Sequence, residues 1–153
     1  MLSAQAIPAD VQALIKAAGR GRFVRSDVAA AEAAMAKLDI RADTEFYAVA
    51  SRYLLGSLHC EHDGEALVDV SAPTEQVAVA TAFARSGWEL PDDYICFTSC
   101  QGEGGYLYSI TTGGVFDFTL AERDEFLRNP VARWRTFFGF LRWYLSPDER
   151  IDQ

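Results

Sequence analysis

Between Tyr94 and Leu120 the chain reads YICFTS, QGEGG, YLYSI, TTGG and VFDFTL: three runs of β-branched and aromatic residues separated by glycine-rich turns. Turns this short join antiparallel neighbours, so the pattern predicts a meander. In its last run Val115 and Asp117 alternate with Phe116 and Phe118, which gives one apolar and one mixed face. A second pattern follows. Trp134, Phe137, Phe138, Leu141 and Leu145 fall on one helical stripe, opened by Asn129-Pro130 and closed before Ser146-Pro147. So heavy an aromatic stripe is expected to pack on the sheet.

Upstream, the periodicity is helical. Val11, Leu14, Ile15 and Ala18 recur until Gly19, leaving GRGRFVR as a basic connector. With Ser26 as N-cap, DVAAAEAAMAKL places Val28, Ala31, Met35 and Leu38 on one face. Asp43 or Thr44 caps a third helix, in which Phe46, Val49, Ala50, Tyr53 and Leu54 run on to Gly56. Asp63-Gly64 reads as a turn, and Ala66, Leu67, Val68 and Val70 as a short strand. A fourth helix opens at Pro73 with Glu75 in its first turn, carries Val77, Ala80, Phe83 and Ala84, and ends near Gly87. Pro91 then holds Leu90 extended, making WELPDDY a connector into the sheet. This order predicts an α+β fold: an antiparallel or mixed twisted sheet backed by helices, with a helical N-terminal segment and a C-terminal aromatic helix.

With 153 residues, half of them hydrophobic, the chain is expected to form a single domain over 1–153 that fills its core without metal or disulfide help. Lys and Arg number 14 against 22 Asp and Glu, a formal charge of −8. That balance argues against a nucleic-acid partner and for a basic protein partner. No apolar run approaches the roughly 18–20 residues of a membrane helix, and MLSAQAIPADVQ lacks the pattern of a secretory signal. A cytoplasmic address with no membrane partner is therefore expected. Cys60, Cys96 and Cys100 are an odd set without dense spacing, so reduced thiols are expected.

His59, Cys60 and His62, with Cys96 and Cys100 downstream, include every histidine and cysteine of the chain. They are zinc-ligand chemistry, but the spacing matches no common structural zinc pattern, and small buried filling is the simpler account of the cysteines. The expectation is no metal and no cofactor, with His59, Cys60 and His62 as the residues to watch. Ser57, Ser99 and Ser109 stand in no nucleophile-elbow context, so no catalytic residue is assigned. Gly102-Glu103-Gly104-Gly105 lacks the lysine and hydroxyl of a phosphate loop and reads as a hairpin turn. Lys16, Arg20, Arg22 and Arg25 read as a solvated connector rather than a nucleic-acid contact. The acids of the sheet half read either as a solubilising surface or as a landing surface for a cationic protein.

The run WELPDDYICFTSCQGEGGYLYSITTGGVFDFTL, followed by an acidic stretch and RWRTFFGFLRWYL, resembles the SUKH superfamily of fungal cell-wall-synthesis regulators and bacterial toxin-immunity proteins. The resemblance is carried by Leu90-Pro91 before Tyr94, the glycine-rich turn into Tyr106-Leu107-Tyr108, Thr112-Gly113 before Val115, and the closing helix with Trp134, Phe137, Phe140, Leu141 and Trp143-Tyr144. EFYAVASRYLLG resembles the helix before the family's first glycine turn. The likeness spans about residues 38–145 and leaves 1–37 as extra N-terminal helices. It implies a non-enzymatic immunity protein that occludes a cognate polymorphic toxin, a nuclease being one such class. The alternative it carries is a regulatory or scaffolding interaction module of the cell-wall-regulator type. The toxin-binding candidates are Glu61, Asp63, Asp92, Asp93, Glu103, Tyr106, Tyr108 and Asp117. Reversing Asp92 and Asp93 is expected to slow association if they belong to that surface.

Overall fold

The computed structural model describes residues 6–99 and 101–147. The fold is α+β, six α-helices with one three-stranded antiparallel sheet among the described residues. The helices are α1 (Ala9–Ala18), α2 (Val28–Lys37), α3 (Glu45–Ala50), α4 (Gln76–Ser86), α5 (Arg123–Arg128) and α6 (Phe137–Leu145). The strands are β1 (Tyr94–Cys96), β2 (Gly104–Ser109) and β3 (Val115–Thr119), in spatial order β1-β2-β3. Register sets Ile95 opposite Tyr108 and Leu107 opposite Phe116, which is the meander that the glycine turns predict.

Alternation along the strands builds two cores. Ile95, Tyr106, Tyr108 and Val115 face one side, where they meet Phe46 of α3 and the aromatic stripe of α6. Phe97 is central there: its ring lies 5.7 Å from Phe46, 5.8 Å from Phe137 and 5.4 Å from Phe140. Tyr94, Cys96, Leu107, Phe116 and Phe118 face the other side, against Ala80 and Ala84 of α4, Trp88, Leu90 and Phe126 of α5. Both faces of the sheet are thus covered. Asp117 shares the face of Val115 but is exposed.

Several elements differ from the periodicity, each for a local reason. The pattern of Tyr53 and Leu54 continues that of α3, yet the helix stops at Ala50, because Tyr53 pairs with Val24 as an antiparallel bridge and Leu54 N–H donates to Phe23 C=O. Residues 66–70 form only one bridge, Leu67 to Thr98, rather than a strand. Pro73 precedes α4, which begins at Gln76. The final helix begins at Phe137, capped by Thr136, because Trp134 is drawn into an antiparallel bridge with Val115. The acidic stretch before it holds the short helix α5. Asp27, not Ser26, occupies the N-cap position of α2.

Arg25 departs furthest from the solvated connector. Its side chain is fully buried and donates from Nε to Ala50 C=O (2.7 Å) and from Nη2 to Tyr53 C=O (3.1 Å) and Asp69 Oδ1 (2.6 Å). Asp69 in turn accepts from the backbone N–H of Leu55, Ser71 and Ala72. This one ion pair fixes the 51–58 and 69–72 segments to the N-terminal connector.

The sheet's outer strands are closed at defined points. Cys96 N–H donates to Thr81 Oγ1 (3.0 Å), and the same hydroxyl donates to Cys96 C=O (3.4 Å). On the opposite side Val115 and Trp134 exchange both backbone hydrogen bonds. No helix among the described residues is long and apolar enough to cross a membrane.

Candidate functional site

A cleft opens at the Gly104 end of the sheet, where β2 begins and β3 ends. Its volume is about 640 Å³, and Glu65, Glu103 and Asp117 line it. Glu65 and Asp117 also line an adjoining cleft of about 330 Å³ with His62, Asp63, Arg133 and Trp143. The two form one recess with four carboxylates and one guanidinium among these residues.

Separate elements bring the acids together. Glu103 precedes β2, and its C=O accepts from Leu120 N–H (2.7 Å), which ties the hairpin ends. Gly104 and Gly105 follow because space permits nothing larger: a Cβ on Gly104 would strike Phe118 C=O, and one on Gly105 the Thr98 hydroxyl. Asp117 lies opposite Tyr106 on β3 and is held by Arg133 (Nη1 to Oδ2, 2.8 Å). The Arg133 guanidinium lies over Trp134 and Trp143, 4.4 and 4.7 Å from their ring centroids. Glu65 is positioned through its backbone: its N–H donates to Tyr106 Oη (3.0 Å) and its C=O accepts from Tyr144 Oη (2.7 Å). Burial pushes the Tyr106 phenol up to about 12 and raises Tyr144 as well, so both stay neutral and serve as fixed hydrogen-bonding posts.

The candidate residues therefore divide. Asp63, Glu103 and Asp117 line the recess. Tyr106 and Tyr108 do not offer the partner-facing surface expected of them: each is 2% exposed, because alternation turns both rings onto α6. Tyr106 reaches the recess only as its floor. Asp93 is bound within the fold, accepting from Ser109 Oγ (2.6 Å), Thr111 N–H (2.9 Å) and Thr111 Oγ1 (2.6 Å). Asp92 is exposed beside Arg85. These two stand at the opposite end of the sheet, since Asp93 faces Ile110 while Glu103 faces Leu120. The seven steps from Glu103 to Ile110, which span β2, correspond to about 23 Å. Glu61 is exposed and pairs with Arg20 at 3.6 Å.

The histidines and cysteines do not converge. His62 Nε2 lies 2.9 Å from Trp143 C=O, an acceptor only, so this nitrogen carries a proton, and Nδ1 lies 3.4 Å from the Cys60 sulfur. His59 is exposed, Cys96 is buried on the far face of the sheet, and Cys100 lies outside the described residues. Among the described residues no group of three or more His, Cys, Asp or Glu could hold a metal ion.

No family model, curated protein or solved structure matches the chain. The recess must be read from its own chemistry. Four carboxylates from three stretches of chain, set on a rigid aromatic base, present a negative field to whatever approaches. Glu65, His62, Arg133 and Trp143 belong to this site, although no spacing in the sequence links them to Asp117. Only the two tyrosines that hold Glu65, and the packing of Arg133 on two tryptophans, bring them there.

Proposed function

We propose that this chain is an immunity protein, binding a cognate basic toxin through the recess of Asp63, Glu65, Glu103 and Asp117 and neutralising it by occlusion. The observation that carries the reading is the gathering of these carboxylates on a preformed surface. The resemblance of residues 38–145 to the SUKH superfamily supports it from the side of sequence. A nuclease toxin fits the charge best. An enzyme that grips phosphates must present cations, and an acidic surface can cover them without resembling a nucleotide. Pairs of this kind reach Kd values of about 10⁻¹³–10⁻¹⁶ M.

The test is capture of the partner with the tagged full chain from lysate of the source organism, followed by titration of the purified pair and assay of the partner's toxicity. A single basic protein, bound at nanomolar Kd or tighter and inactive in the complex, is the expected result. Several weak partners would favour the scaffolding alternative. In the complex, Glu103→Lys should lower the association rate and flatten its dependence on ionic strength. An unchanged rate constant at low salt would remove the recess from the interface.

A further inference from the structure

A second surface, on the N-terminal helices, has the opposite character. Phe23, Val24, Val28 and Tyr53 form an apolar groove of about 450 Å³, rimmed by Lys16 and Arg52. Val24 is 61% exposed and Val28 41%. The floor is fixed: Phe23 stacks on Tyr53 with ring centroids 6.0 Å apart, and its ring fills the space where Gly19 would carry a side chain.

Charge distinguishes this groove from the rest of an acidic molecule. Among the described residues only Lys16, Arg22, Arg52 and Arg135 form no ion pair, every other Lys or Arg being matched to a carboxylate. Two of these four line the groove, and Arg22 adjoins Phe23 in the chain. The backbone points the same way. Arg25 N–H donates to Arg52 C=O and Leu54 N–H to Phe23 C=O, so the N–H and C=O of Val24, between them, are directed away from Tyr53. No described residue bonds either group.

We infer that this groove is a docking site for an extended protein segment that alternates apolar and acidic side chains. The apolar residues would fill the space over Phe23 and Tyr53. The carboxylates would meet Lys16, Arg22 and Arg52, and the segment's backbone would pair with Val24. The site is separate from the acidic recess and gives the N-terminal helices a role beyond packing.

The experiment uses the full chain and short fluorescent peptides alternating glutamate with leucine, glutamate with serine, and lysine with leucine, together with a single-stranded oligothymidylate, read by fluorescence polarisation. The glutamate–leucine peptide should bind best. Val24→Ser and Arg52→Glu, both at exposed positions, should each weaken it at least tenfold, and the Lys16→Glu/Arg52→Glu pair should shift preference to the lysine–leucine peptide. Amide signals of Val24 and Val28 should move on binding. Equal binding of the glutamate–serine peptide, or indifference to Val24→Ser, would overturn the proposal. So would tighter binding of the oligonucleotide, or no binding at millimolar peptide.

Discussion

Replacing Arg25 with methionine would strand the Asp69 carboxylate, 2% exposed, among three backbone donors that cannot neutralise it. Breaking a buried pair from one side costs about 3–5 kcal/mol, whereas replacing both partners by apolar groups costs far less. Arg25→Met and Asp69→Asn are each expected to lower the urea midpoint strongly, and Arg25→Met/Asp69→Leu by less than their sum. Tyr106 makes a second case. Its folded pKa of about 12 lies above the usual 10, so the native state holds the phenolic proton more tightly than the unfolded chain. That stabilisation is complete below pH 10 and is lost as pH rises towards 12. Urea titrations at rising pH should show the decline, and Tyr106→Phe should reduce its slope while costing about 1 kcal/mol at neutral pH through the lost Glu65 N–H bond. Asp93 shows how a residue type can mislead: its charge is spent on the Ser109–Thr111 turn. Asp93→Ala should therefore reduce stability rather than alter association alone, which thermal melts will distinguish from binding kinetics.

At the scale of elements, the meander and the aromatic helix were legible because their signals are local: strand-forming runs, glycine at the turns, and a stripe at helical spacing. The ends of elements were not, because partners distant in sequence set them. α3 stops where Val24 claims Tyr53, and α6 waits until Trp134 has bridged Val115. Glu65 of the recess was not among the candidates, whereas Asp63, Glu103 and Asp117 could be named from the sequence. Their grouping could not, since Glu65 reaches Asp117 only through two buried tyrosines. The glycines entering β2 carry a prediction of their own. Gly104→Ala and Gly105→Ala each force a Cβ into Phe118 C=O or the Thr98 hydroxyl. Either should cost about 1–3 kcal/mol and loosen the hairpin that holds Glu103, seen as faster amide exchange through β2 and β3.

For the whole molecule, charge is sorted rather than spread. Among the described residues, three of the four cations without an ion pair lie in or beside the N-terminal groove, and carboxylates gather at the Gly104 end of the sheet, within a net charge of −8. If the recess and the groove bind as proposed, the two surfaces should answer salt separately, each complex weakening over its own range of ionic strength. One further consequence follows from the way the outer strands are closed. A bare strand is a template on which other copies of a chain can stack into aggregates. Here the Thr81 hydroxyl occupies the outward groups of Cys96, Trp134 occupies those of Val115, and the next outward position on β3 carries the exposed carboxylate of Asp117. A second copy adding at either outer strand would first have to displace the Thr81 hydroxyl or Trp134, so concentrated solutions should resist fibre growth, and Thr81→Val, which frees the outward groups of Cys96, should hasten it in a light-scattering time course.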